Sequence, residues 1–208
     1  MLRLLGTGSL LFALMLTSAG CAGSSDYMTK ARSAAPLAAP ADRAMVVFVR
    51  PSGMAFAINF SIVDQNGRWL GDAVSQSHFA VALPPGEYTF VGWAENTDLV
   101  KATVAAGRIY YVEVSPALGA LYSQVSLEAL TPRSSDWSEL PHWLEGTTRL
   151  EPLPTGAAYM DQRHADAMKR VASANENWSD MSPDDRAQRT LREADGVPGT
   201  ELPVASSK

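Results

Sequence analysis

The chain has 208 residues and a single cysteine, Cys21, so no disulfide can close within it and the fold must rest on an apolar core. Histidine is almost as scarce, with three: His78, His142 and His164. There is no Gly-x-Ser-x-Gly elbow, no glycine-rich phosphate loop, no acidic loop spaced for calcium and no His-x-x-x-His pair. These absences remove the usual signatures of a hydrolase, a nucleotide binder and a metalloenzyme. Basic residues number 17 against 22 acidic ones and do not cluster, which is a poor match for nucleic acid or an anionic lipid surface. Beyond the first twenty residues no apolar run approaches the roughly 20 residues that a spanning helix needs.

What the chain does have begins at its N-terminus. One basic residue, Arg3, precedes an apolar run from Leu4 to Leu16, followed by the small residues Thr17-Ser18-Ala19-Gly20. Charge, apolar stretch and small-residue cleavage site, in that order, form a secretory leader. With Cys21 directly after Ala19-Gly20, this resembles the lipobox of bacterial lipoproteins, departing from it at Ser18, where an aliphatic residue is usual. The resemblance implies cleavage before Cys21 and a mature N-terminus carrying a diacylglyceryl thioether and an amide-linked acyl chain. Ala22 is not the aspartate associated with inner-membrane retention, so the implied address is the outer membrane, facing the periplasm. Loss of the leader, whose one charged residue is Arg3, would take the net charge from −5 to −6.

Residues 21–43, rich in Ala, Ser, Pro and Gly, read as the lipidated N-terminus and a flexible tether. From 44 to 130 the pattern has period two. Met45–Val49 ends at Arg50-Pro51-Ser52-Gly53. Phe56, Ile58, Phe60 and Ile62 alternate with small or polar residues, which predicts a strand with those four facing inward. Asn66-Gly67 predicts a type I′ hairpin turn into Arg68-Trp69-Leu70. Pro84-Pro85-Gly86 and Ala106-Gly107 mark further reversals, and Ile109–Val114 is a strong strand. The expected fold is an all-β antiparallel sandwich of seven to eight strands, transthyretin-like or immunoglobulin-like, with an α-helical C-terminal appendage. Residues 131–156 read as a strap across it, 157–196 as two helices and 197–208 as a disordered tail. Met160, His164, Met168 and Val171 make the stripe of the first helix; Ser182-Pro183-Asp184-Asp185 opens the second. The stripes are thin, so the domain is expected to fold without them.

Three pieces of the middle stretch carry a family resemblance: Arg50-Pro51 after the opening strand, Leu83-Pro84-Pro85-Gly86-Glu87-Tyr88, and Ala106-Gly107-Arg108-Ile109-Tyr110-Tyr111-Val112. In order and spacing, residues 45–130 resemble the bacterial lipoprotein family known as domain of unknown function 2846. The resemblance covers under half the chain and implies location and fold, since that family has no assigned activity.

The polar residues add little chemistry. His78 and His142 read as exposed residues of a strand and the strap, and Asp161 with His164 supplies too few ligands for a metal. Asp184-Asp185 suits a helix N-terminus, and Asp64 a turn. Aromatic residues give the one positive hint of binding. Trp93 is expected in the core, whereas Trp69, Tyr110 and Tyr122 are candidates to face a ligand. The sequence therefore predicts a non-catalytic interaction or structural module without cofactor or metal, bound to the membrane through Cys21 and to an envelope protein or cell-wall component. A carbohydrate or peptidoglycan binder using the aromatics is the first alternative. A hydrolase assembled from scattered Ser, His and Asp is the second.

Overall fold

A computed structural model describes residues 23–33, 35–118 and 123–199. They form strands β1 (Met28–Lys30), β2 (Ala44–Arg50), β3 (Phe60–Val63), β4 (Trp69–Ala73), β5 (Ser77–Leu83), β6 (Gly86–Trp93), β7 (Thr97–Val104), β8 (Arg108–Leu118), β9 (Ser123–Leu130), β10 (Thr148–Pro152), β11 (Thr190–Leu191) and β12 (Val197–Pro198). The helices are α1 (Leu140–Gly146), α2 (Pro154–Asp161), α3 (His164–Asp180) and α4 (Pro183–Gln188), with 3₁₀ turns at Ser135–Glu139 and Glu193–Asp195. One sheet runs β1-β10-β5-β2-β8-β12, with β9 also on β8; the other runs β11-β7-β6-β3-β4.

Both sheets are mixed, so the expected all-antiparallel arrangement is corrected. β2 pairs with β8 in parallel, as do β10 with β5 and β11 with β7. Alternation of side chains reports which face is buried, but the same alternation serves either pairing direction. After β2 the chain leaves to build much of the second sheet. It returns at β8 in the same direction, a crossover with no local signature.

The middle of the first sheet is buried on both sides. Val46, Phe48, Tyr110 and Val112 join Phe60, Ile62, Phe90 and Leu99 of the second sheet in one core. Phe48 stacks on Phe79 at 5.1 Å and meets Phe90 edge-on at 5.3 Å. On the outer face Val47, Val49, Ile109, Tyr111 and Leu130 form a second cluster beneath Leu140, Trp137 and Trp143.

Several segments depart from the sequence reading. The hairpin joining β3 and β4 is present, but of Asn66 and Gly67 only Gly67 takes a positive φ, of 70°, so the turn is not type I′. Asp64 holds it instead, its Oδ1 accepting from the backbone N–H groups of Asn66 and Arg68. The expected tether enters the fold within a few residues: β1 pairs with β10, and Met28 and Leu37 are buried. The strap contributes α1 and β10. Beyond residue 196, expected to be disordered, β12 pairs with β8. In the helices Met160, Ala167, Val171 and Ala174 are buried while His164 and Met168 are exposed, because the buried line steps by seven, four and three residues and leaves those two to one side of it. Ser182 caps α4, accepting from Asp185 N–H at 3.2 Å.

Glu113 faces outward on β8 directly opposite Glu128 of β9. Burial, then Glu128 and Asp136, pushes its carboxyl up to about 7. The folded state therefore holds a proton that the unfolded chain releases near pH 4 to 5. Stability from this group is full below that range and is lost as pH rises through about 7. Glu113→Gln is expected to leave the melting temperature nearly unchanged at pH 4 and to raise it at pH 8. The gain should be about 2–4 °C, for an effect on the order of 1 kcal/mol after solvent screening. Equal melting curves at pH 8 would remove the argument.

Candidate functional site

The end of β6 sets up the site. Its alternation turns Phe90 and Gly92 toward the other sheet, where Gly92 packs tightly on Val125 and Leu127. Val91 and Trp93 face the opposite way, toward α2 and α3. Trp93 is half-buried, and Arg163, from the break between those helices, lays its guanidinium over the indole at 4.8 Å. Arg170, two helical turns further on, stands 5.4 Å from the same ring. Arg163 Nη1 donates to the Tyr159 hydroxyl at 3.0 Å, and Tyr159 stacks on Tyr27 at 4.8 Å. Asn59, Ser61, Trp93, Ala94, Met160 and Arg163 line a cleft of about 240 Å³.

Two features of the cleft suit a ligand. Among the described residues no carboxylate pairs with Arg163 or Arg170, so both guanidiniums keep N–H donors for a carboxylate, the geometry that arginine recognises best. On the cleft wall Asn59 Nδ2 donates to the Ser24 carbonyl at 2.7 Å, while its Oδ1 is buried without a hydrogen-bond partner. An unpartnered buried acceptor costs about 1–3 kcal/mol, recoverable when a donor arrives. The arrangement can hold an anionic group against guanidiniums that lie on an indole, and accept a hydrogen bond beside it.

A larger groove of about 440 Å³ lies along β6 and β7, lined by Gln65, Glu87, Tyr88, Lys101 and Thr190 among others. Several of its polar groups are already engaged. Tyr88 hydroxyl donates to the Pro84 carbonyl, Gln65 Oε1 accepts from Thr89 N–H, and Lys101 Nζ lies over Trp178 at 4.8 Å. The smaller cleft is therefore the better candidate.

The residues expected to face a ligand lie elsewhere. Trp69 is 7 % exposed; its Nε1 donates to Asp72 Oδ1 at 3.0 Å, and Gly156 of α2 packs so closely on its ring that a Cβ there has no room. Tyr110 is fully buried, its hydroxyl accepting from Ala105 N–H and donating to the Glu193 carbonyl. Both are core residues: Tyr110 points between the sheets with its hydroxyl end closed by residues 193–196, and α2 covers Trp69. Tyr122, Cys21 and residues 1–20 lie outside the described residues. Trp93, expected in the core, is the indole that carries the cleft.

His78 is buried rather than exposed, because β10 and the end of α1 close over it. Its Nδ1 sits 2.8 Å from Thr147 Oγ1, which itself donates to the Trp143 carbonyl. With that hydroxyl proton committed, Nδ1 must be the protonated nitrogen. Burial, then Arg149, lowers the imidazole to about 4 and keeps it neutral. His142, His164 and Asp161 are exposed, and no cluster of three metal-ligating side chains occurs among the described residues. Arg163 was out of reach of sequence reasoning. It falls between Met160 and Ala167 on the buried line, a place where a charged residue gives no periodic signal, and its partner Trp93 is 70 residues earlier in the chain.

No family model matches the chain, and comparison with curated proteins and with solved structures likewise gives no match.

Proposed function

We propose that this chain is a lipid-anchored protein of the bacterial envelope, held at the outer membrane by acyl chains on Cys21 and facing the periplasm, with a folded body that is a non-catalytic interaction module. The anchor rests on the lipobox pattern of residues 1–21 and on the resemblance of residues 45–130 to a lipoprotein family. No described helix is long and apolar enough to cross a membrane. We read the two sheets as a divergent transthyretin-like or immunoglobulin-like sandwich, a reading supported by their shared core.

The observation that carries the binding role is Trp93 with Arg163 and Arg170 on its ring and the unpartnered Asn59 Oδ1 beside it. The fitting ligand is a carboxylate-bearing segment, from an envelope protein or the peptide part of the cell wall. A sugar ring stacked on Trp93 is the second reading, favoured by the indole alone. A hydrolase has less support, since His78 bonds Thr147 and no carboxylate.

Mass analysis of the native product tests the anchor: the expected result is a chain that begins at an acylated Cys21, and an intact leader or free thiol would end the reading. Crosslinking in intact cells identifies the partner. Trp93→Ala combined with Arg163→Ala is expected to lower its affinity more than tenfold, as loss of an aromatic and arginine anchor does. The melting temperature should fall by several degrees with unfolding still cooperative, since half-buried Trp93 packs on the core, and undiminished capture by the double variant would remove the cleft from the binding role.

A further inference from the structure

The strand predicted from Phe56 begins only at Phe60. Residues 51–59 form a loop in which Met54 is 51 %, Phe56 52 % and Ile58 40 % exposed. Three large apolar side chains on one loop are a patch rather than scattered singles. From Pro51 to Val63 there is no charged residue.

The loop is fixed from beneath by Arg50, which is fully buried. Its Nη1 donates to the carbonyls of Ile58 at 2.7 Å and Ala73 at 2.9 Å; its Nη2 donates to those of Met54 and Ala55, both at 2.9 Å. Ala55 adopts the left-handed region, with φ of 53°. One guanidinium thus draws the carbonyls of Met54, Ala55 and Ile58 inward while the side chains of Met54, Phe56 and Ile58 are exposed. That division suits an apolar medium, where unsatisfied backbone groups are costly and apolar side chains are welcome.

The first described residues arrive at the same place. Gly23 packs against the Phe56 carbonyl with no room for a Cβ, and Ser24 is tied to Asn59. Cys21 lies two residues before Gly23, so their Cα atoms are at most about 7 Å apart.

We propose that the loop of residues 51–59 is a second, non-covalent membrane contact: Met54, Phe56 and Ile58 enter the interfacial layer of the bilayer beside the lipidated N-terminus. This rests on the acylation of Cys21 proposed above. The body then sits against the membrane rather than at the end of a leash, and the Trp93 cleft, which Asn59 borders, lies close to the headgroups.

The test uses the full chain processed to its acylated form in phosphatidylcholine vesicles, with Ala57→Cys as a free thiol carrying an environment-sensitive fluorophore. Ala57 is exposed in the loop, and the substitution leaves the three apolar residues in place. Ala106→Cys is the reference. It lies in the turn where Gly107 bonds Arg43, at the start of β2, whereas the loop follows its end, about 20 Å away. Spin labels on the lipid acyl chains are expected to quench the probe at 57 at least threefold more than the probe at 106. Adding Phe56→Ser and Ile58→Ser should abolish the difference.

Equal quenching of the two probes, with equal access to aqueous iodide, would overturn the docking and leave acylation standing. Quenching that survives the double serine change would mean that the dye itself partitions, and would overturn it too. Shielding from iodide that grows with protein concentration, without spin-label quenching, would show a second copy on the loop and likewise refute the proposal. Two fluorophores per chain, with no flotation, would show Cys21 unmodified; acylation would fail then, and the docking with it.

Discussion

Cutting the chain after Arg133 is expected to leave a product that no longer unfolds cooperatively, contrary to the separable domain that the thin helical stripes predict. The removed part supplies β10, which pairs with both β1 and β5 in the first sheet, and β11 and β12, which pair with β7 and β8. It supplies Met160, Val171 and Ala174 to the shared core. It also removes Leu140, Trp137 and Trp143 from above Val47, Val49, Ile109, Tyr111 and Leu130. Exposing five such side chains, at about 1.5–3 kcal/mol each, rivals the whole stability of a domain, about 5–15 kcal/mol. Scanning calorimetry and near-ultraviolet dichroism decide the matter. The full mature chain should give one sharp transition and the truncated chain none, while a sharp transition in the truncated chain would show that residues 134–199 are accessory.

The contrast between these two expectations locates what the sequence can convey. Strands in 44–130 announce themselves because alternation, turns and β-branched runs are local. β2 and β8 stand near where the pattern puts them. β1, β10, β11 and β12 have two to five residues each, too few for a period, and exist only because a distant edge offers hydrogen bonds. Arg50 shows a different limit. Before Pro51-Ser52-Gly53 it looks like turn chemistry, yet it is the best-buried cation among the described residues, since its partners are carbonyls that no motif records. Trp69 and Trp93 exchange their expected roles for the same reason. Alternation assigns each ring to a face, but which face a helix later covers is a long-range fact.

A second large effect is expected at Asp98, where the two sheets are stitched together by side chains. Asp98 is the second residue of β7, is buried, and accepts from Leu99 N–H, from Leu127 N–H in β9 of the other sheet, and from Arg189 Nε at 3.0 Å. Two residues earlier, Asn96 exchanges a pair of hydrogen bonds with the backbone of Val125, also in β9. The Arg189 side chain is itself 16 % exposed, so Asp98→Ala strands a largely buried guanidinium and two backbone donors at once. Removing one partner of such a pair costs about 3–5 kcal/mol, or a fall in melting temperature of roughly 6–20 °C for a chain of this size. Asp98→Asn retains an acceptor for the Leu127 amide and should cost clearly less. Arg189→Ala added to Asp98→Ala should restore part of the loss, because the uncompensated charge is then gone. If the double variant is instead as unstable as the two single effects added, the pair is not coupled. The stitching would then belong to Asn96 and the backbone bonds alone.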